Sequence, residues 1–110
     1  MDEHDELQQK IADIGGRYLL RTSGELARLR ELVDQVRAGN SAALKDIAQL
    51  AHKIYGSGAM FGFEAISERA RELELAAKDV TDPGILDRLQ RHADELGQQV
   101  QATLQTQGLS

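Results

Sequence analysis

The residues best placed to do chemistry in this chain surround His52, in the segment from Ala51 to Phe63. The segment reads Ala-His-Lys-Ile-Tyr-Gly-Ser-Gly-Ala-Met-Phe-Gly-Phe, which sets an imidazole among small side chains within a helical pattern. A neutral imidazole offers one ring nitrogen as a nucleophile. Small neighbours leave such a ring open to a large partner molecule. The pattern therefore indicates a histidine that reacts with, or binds, something large.

A helical wheel over residues 41–62 places His52 on the side that faces solvent. The opposite half is an apolar stripe wide enough to face a core: Ala43, Leu44, Ile47, Leu50, Ala51, Ile54, Ser57, Gly58 and Phe61. The His52 side holds Lys45, Ala48, Gln49, Lys53, Tyr55, Gly56 and Ala59. Residues three and four apart touch on a helix surface, so Ala48 and Gly56 stand where larger side chains would shield the imidazole.

Two glycines inside this helix indicate close contacts. Glycine within a helix costs about 0.5–1 kcal/mol relative to alanine. Gly56 lies on the exposed side, where core packing does not explain it, and we interpret it as access for another molecule. Gly58 faces inward, and we expect it to let a neighbouring helix approach.

Composition bounds the class of protein. The chain has 110 residues, which suits a single domain over residues 1–110, and 41% hydrophobic but only 4% aromatic residues predict an aliphatic, helical core. The absence of cysteine excludes disulfides and thiolate metal sites.

The acidic start lacks the layout of a signal peptide, and no apolar run approaches the ~20 residues that span a bilayer. We therefore expect a cytoplasmic protein without membrane contact. A net charge of −5 without a basic block argues against nucleic acid.

Helical periodicity divides the chain into one short helix and four longer ones. The short helix is predicted for residues 4–14 and ends at Gly15-Gly16. The longer helices are predicted for about residues 17–38, 41–61 and 63–78, and from Asp82-Pro83 onward, where aspartate as the cap and proline at the first position signal a helix start. Amphipathic helices with short connections predict an all-α fold, an antiparallel up-down four-helix bundle, with the additional short N-terminal helix as a lid on one end.

This layout resembles histidine phosphotransfer (HPt) domains over roughly residues 7–100, and the block from His52 to Phe63 is similar to the phosphotransfer domains of chemotaxis kinases. In the family the active histidine lies midway along the second long helix, in a pattern close to His-x-x-Lys-Gly-small-small. The resemblance rests on Gly39-Asn40, Ala51-His52, Gly56, Ser57-Gly58, Phe61-Gly62-Phe63 and Leu73-Glu74. One position departs from the family pattern, because Tyr55 stands where the lysine is usual.

The resemblance implies that His52 accepts a phosphoryl group from a receiver-domain aspartyl phosphate and relays it to another receiver domain. The partners would be the receiver domains of a hybrid histidine kinase and a response regulator in bacterial two-component signalling. The chain would be a monomeric phosphocarrier without kinase activity of its own. It would need no metal or other cofactor, since the receiver domain brings Mg²⁺.

The same resemblance, combined with the helical wheel, selects the residues around the reacting histidine. The expected neighbours of the phosphoryl group are Gln49, Lys53, Tyr55 and Gly56, and the expected receiver contacts are Lys45, Ala48 and Ala59. In place of the usual lysine, Lys53 or Lys45 would supply positive charge, or the Tyr55 hydroxyl would donate a hydrogen bond.

Other readings of the sequence stay open at this point. The alternative function is a helical adaptor, a degenerate HPt domain that docks a signalling partner without phosphotransfer, and a weaker option is a homodimeric bundle. A di-iron site needs Glu-x-x-His pairs, but the residues three positions before His52 and His92 are Gln49 and Leu89. His92 is expected on the solvated side of the last helix. Glu74 and the charged residues 68–72 before it are expected to form a charged helix face.

Overall fold

Four α-helices in series make up the fold. The computed structural model describes residues 3–108, without the side chains at positions 4 and 11. The helices are α1 (Glu3–Arg37), α2 (Ala43–Met60), α3 (Glu64–Lys78) and α4 (Ile85–Thr106). Residues 3–108 contain no β-strand, so the predicted all-α class is confirmed. Within the same residues, no helix combines the length and the hydropathy needed to cross a bilayer.

The helices pack side by side in chain order. Helix α2 packs against α1 and α3, and α4 packs against α3 and returns to α1. A side-chain hydrogen bond of 2.7 Å from Arg37 to Gln90 joins the last turn of α1 to the first turns of α4. Connections of only a few residues force successive helices to run antiparallel. The predicted up-down four-helix bundle is therefore confirmed.

An aliphatic core holds the bundle together. All four helices contribute large side chains that are at most 1% exposed: Leu19, Leu29, Leu32, Ile47, Ile54, Ile66, Leu73, Leu89, Leu96 and Val100. Burial of one such side chain stabilises the fold by about 1.5–3 kcal/mol. The stripes that periodicity marks as apolar are thus the surfaces that meet in the core, and the opposite faces of the helices are left for function.

The first helix differs from the prediction at Gly15-Gly16. The separate short helix expected for residues 4–14 is wrong, because α1 continues through both glycines as one helix. Glycine lowers helix propensity by about 1 kcal/mol but does not forbid helical backbone. The Phe63 ring lies against this point, where a Cβ added to Gly15 would be 3.4 Å from it. The N-terminal segment therefore extends α1 instead of covering the end of the bundle, and Leu7 is exposed.

Helices α2 and α4 begin two residues later than predicted. Helix α2 starts at Ala43 without a side-chain cap, rather than near Ser41. Helix α4 starts at Ile85, because the Asp82 carboxylate accepts a 2.9 Å hydrogen bond from the Gly84 N–H. Asp82 therefore stabilises a turn that precedes the helix instead of capping the helix itself.

Close contact between α2 and α3 fixes the face that carries His52. Gly58 is buried, and a Cβ added there would be 3.2 Å from the backbone nitrogen of Ser67. The Ser67 hydroxyl donates a 2.7 Å hydrogen bond to the carbonyl of Tyr55 across the same contact. Gly62, at φ 81°, allows the tight turn between the two helices. The expectation that Gly58 lets a neighbouring helix approach is confirmed.

Candidate functional site

His52 lies on the outer face of α2, at the edge shared with α3. Its side chain is 65% exposed, whereas Ala51 and Ile54 beside it are fully buried. The exposure predicted from the helical wheel is therefore confirmed. One edge of the imidazole is nevertheless engaged, because Nδ1 lies 3.0 Å from Oε2 of Glu74 on α3.

Glu74 of α3 lies at the site but does not have the surroundings that its sequence predicts. The charged, solvated helix face expected there is incorrect for this residue, which is only 1% exposed. Glu74 follows Ala70 by four positions and precedes Ala77 by three, and both alanines are buried. Residues with this spacing share one helix face. A carboxylate within the apolar stripe of α3 is the sequence signal that marks it.

Three donors surround the Glu74 carboxylate. Oε2 contacts both His52 Nδ1, at 3.0 Å, and Lys78 Nζ, at 2.8 Å, while Oε1 accepts from Arg71 at 3.1 Å. Burial alone would raise the pKa of Glu74. The hydrogen bonds from Lys78, His52 and Arg71 outweigh burial and lower that pKa from 4.5 to about 2. The carboxylate is therefore ionised at any physiological pH.

An ionised Glu74 determines the tautomer of His52. A carboxylate without a proton only accepts hydrogen bonds, so the 3.0 Å contact requires the hydrogen of the imidazole to be on Nδ1. In the neutral ring, Nε2 then carries the lone pair. The buried carboxylate thus fixes the orientation of the ring and leaves the second nitrogen with a free lone pair.

The surroundings of His52 along α2 are open. Gly56 lies one turn further on, and apart from its chain neighbours and the backbone of its own helix, nothing lies within 4 Å of the position that a Cβ would take. Ala59, in the next turn, is exposed. Ala48, one turn before His52, was expected on the exposed side, but it is 9% exposed because it packs at the edge of the core. A bulky partner can therefore approach the imidazole without displacing a side chain of this helix.

Tyr55, which stands where the family usually has lysine, contacts a cation instead of supplying one. Its ring centroid lies 6.0 Å from that of His52, and the guanidinium of Arg71 lies 5.3 Å from the centroid of the tyrosine ring. Such a cation–π contact stabilises the position of an arginine by about 0.5–1 kcal/mol at an exposed site. Tyr55 therefore holds Arg71 beside Glu74.

The two lysines expected to supply charge lie in different surroundings. Lys53 Nζ is 3.0 Å from Glu25 of α1, on the side of α2 away from α3. Lys45 lies with Gln49 and Ala48 in an open groove next to His52. The structure thus brings Lys45, Gln49 and Ala48 together with the histidine, and it turns Lys53 toward α1.

The groove beside His52 runs between α2 and α3 and combines apolar with charged side chains. Its lining consists of Ser41, Ala42, Leu44, Lys45, Ala48, Gln49, His52, Glu74, Ala77, Lys78 and Val80. Val80 is 65% exposed, so the apolar surface continues to the end of the groove. Small and apolar residues next to a reactive group form a surface on which a helix of another protein can pack.

A cluster on the opposite side of α3 has the residue types of a metal site. Glu72, His92 and Glu95 place their ligand atoms within 4.8 Å of one another. Arg69 already lies 3.4 Å from Glu72 and 3.3 Å from Glu95, so one guanidinium forms ion pairs with both carboxylates. We therefore interpret the cluster as an ion-pair network between α3 and α4. His92 was expected to be solvated, but its side chain is 14% exposed because it packs between these helices.

Together the geometry describes a four-helix bundle with one exposed, oriented histidine on its second helix and an open groove beside it. The family model described as the Hpt domain matches residues 3–106. The chain therefore belongs to the Hpt domain family. Members of this family take part in histidine phosphotransfer and interact with receiver domains in phosphorelays. Comparison with curated proteins and with solved structures finds no match.

Proposed function

We propose that this chain is a phosphocarrier in which His52 accepts a phosphoryl group from the aspartyl phosphate of one receiver domain and passes it to the aspartate of another. One observation carries the proposal. The exposed imidazole donates from Nδ1 to the ionised Glu74, so Nε2 is the nucleophile. A histidine without a role in chemistry needs no buried carboxylate to fix its tautomer.

The transfer step follows from this arrangement. The lone pair of Nε2 forms the N–P bond while the P–O bond to the receiver aspartate breaks, and the aspartate carboxylate keeps the electron pair. The imidazole becomes positively charged and retains the hydrogen on Nδ1. Glu74 lies 3.0 Å from Nδ1, and its negative charge therefore stabilises the charged ring. The reverse sequence delivers the group to the second receiver domain.

The receiver would dock over the exposed face of α2. Lys45, Ala48 and Gln49 line the groove on one side of His52, and Gly56 and Ala59 leave the other side open. In-line transfer requires the aspartyl phosphate to approach Nε2 closely, which this surface permits. We assign Mg²⁺ to the receiver domain and no cofactor to this chain, which acts without kinase activity of its own.

We further propose that a single chain is the working unit and that it acts in the bacterial cytoplasm. His52, Glu74, Arg71 and Lys78 all come from one bundle, so the site is complete without a second copy. The partners would be the receiver domains of a hybrid histidine kinase and of a response regulator.

The test is phosphoryl transfer from a phosphorylated receiver domain, or from phosphoramidate, measured by intact mass. We expect an acid-labile mass increase on the wild type and none on His52→Gln, which keeps the size and polarity of the side chain. A wild type that stays unlabelled while it is folded and helical would refute the proposal. That result would favour the non-catalytic adaptor.

A further inference from the structure

We infer that Lys78 of α3, rather than a lysine of α2, is the cation that holds the phosphoryl group on His52. The inference rests on the proposed function, because it assigns a role in the phosphorylated state of the same site. It answers the question that Tyr55 raises by standing where the family usually has lysine.

The charges around Glu74 leave one positive charge in excess. A single carboxylate is neutralised by one cation, yet Glu74 binds both Lys78 and Arg71, at 2.8 and 3.1 Å. Lys78, Arg71 and Glu74 together therefore carry one excess positive charge next to His52, in a chain whose net charge is −5. Such a local excess attracts an anion to the surroundings of the imidazole.

Lys78 has the reach and the freedom to contact the phosphoryl group. Its Nζ and Nδ1 of His52 contact the same oxygen, Oε2 of Glu74, so the ammonium is a close neighbour of the ring. The Lys78 side chain is 59% exposed and lines the groove beside His52. A flexible four-carbon stem lets the ammonium move from Glu74 to a phosphoryl oxygen on Nε2 by rotation alone.

Arg71 is the cation that stays on Glu74 when Lys78 moves. Its guanidinium is held twice, by Oε1 of Glu74 at 3.1 Å and by the ring of Tyr55 at 5.3 Å. The carboxylate therefore remains neutralised and continues to accept from His52. Tyr55 thus contributes to the site by anchoring Arg71 at Glu74, which leaves Lys78 free to move.

The lysines of α2 fit the role less well. Lys53 is held by Glu25 of α1, at 3.0 Å, on the side of α2 that faces α1. Lys45 precedes His52 by seven residues, which places its Cα roughly 10 Å away along the axis of α2. Lys78 is the lysine that the fold brings to the same carboxylate as the imidazole.

The experiment measures the equilibrium for phosphoryl exchange between this chain and a receiver domain, as the ratio of phosphorylated species by intact mass. Loss of an ion pair with the phosphoryl group lowers the share carried by this chain, so we expect Lys78→Gln to reduce the equilibrium constant about three- to ten-fold. Lys78→Arg keeps the positive charge, so its equilibrium constant should be close to that of the wild type. Lys53→Gln should have the smaller effect, and Lys10→Gln controls for the change in net charge.

The outcomes separate the inference from the function on which it rests. An unlabelled wild type refutes the proposed function and the inference with it. A labelled wild type whose equilibrium is unchanged by Lys78→Gln, or is changed equally by Lys10→Gln, refutes the inference alone. An equilibrium that depends on Lys53 more than on Lys78 would assign the role to a lysine of α2, and this result would also refute the inference.

Discussion

Replacement of Gly56 by leucine tests whether access to His52 limits transfer. Apart from its chain neighbours and the backbone of its own helix, nothing lies within 4 Å of the position that a Cβ would take, and the residue is exposed, so the fold has room for the side chain. Removal of a glycine from a helix interior gains about 0.5–1 kcal/mol. For a domain of this size, that gain raises Tm by roughly 2–6 °C. Side chains on a helix lean toward its N-terminus, so the leucine would lie over His52, one turn earlier.

The expected result is a more stable protein that transfers poorly. Misplacement of reacting groups by about 1 Å can cost about 100-fold in rate, so we expect at least that loss with a phosphorylated receiver domain. Labelling by phosphoramidate, a small donor, should fall much less.

Gly24→Leu is the matched control, because Gly24 is an exposed glycine within α1 whose Cβ position is equally open. It should give the same rise in Tm with unchanged transfer, measured by rapid-quench sampling and intact mass. Transfer by Gly56→Leu within about two-fold of the wild type would refute the access argument.

Two further predictions concern the contact between α2 and α3. Because the pKa of Glu74 falls from 4.5 to about 2 on folding, its charge contributes stability that is complete above pH 4.5 and is lost as pH falls toward 2. Denaturant titrations at several pH values measure this contribution, and near neutral pH we expect Glu74→Gln to be less stable than the wild type by about 2–3 kcal/mol. The difference in unfolding free energy should shrink as pH falls from 4.5 toward 2. A difference that stays constant with pH would contradict the charge argument. Gly58→Val should lower stability by about 1–3 kcal/mol, because its Cβ would meet the Ser67 backbone at 3.2 Å. Thermal unfolding followed by circular dichroism measures this change, and an unchanged Tm would show that α3 can shift freely.

The elements of the fold were predictable because helix packing follows from local periodicity. The apolar stripes of α2 and α3 repeat every three to four residues, and the structure buries most of both stripes, although Phe61 at the end of the α2 stripe is 37% exposed. The error at Gly15-Gly16 has a different origin. Glycine pairs change helix propensity by a few kcal/mol at most, and a tertiary contact with Phe63 lies at this point of α1. Whether a weak helical segment continues or breaks is decided by packing that a local pattern does not contain.

The candidate site was predictable only within one helix. A helical wheel relates His52 to Gly56 and Ala48, since all three lie on α2 and their angles follow from residue number. The relation of His52 to Glu74 depends on how α2 and α3 slide along each other. Gly58 fixes that register by letting the backbones approach, and no count of residues along one helix supplies it.

The burial of Glu74 is difficult to explain by stability alone. Removing a carboxylate from water costs several kcal/mol, and a hydrophobic residue of similar size in the same stripe would avoid that cost. Two of the donors that compensate Glu74, Arg71 and Lys78, belong to its own helix, and both are about half exposed. The donor from α2 is His52, the residue whose tautomer the contact controls. The buried charge of Glu74 is therefore explained by its contact with His52, because this contact orients the imidazole.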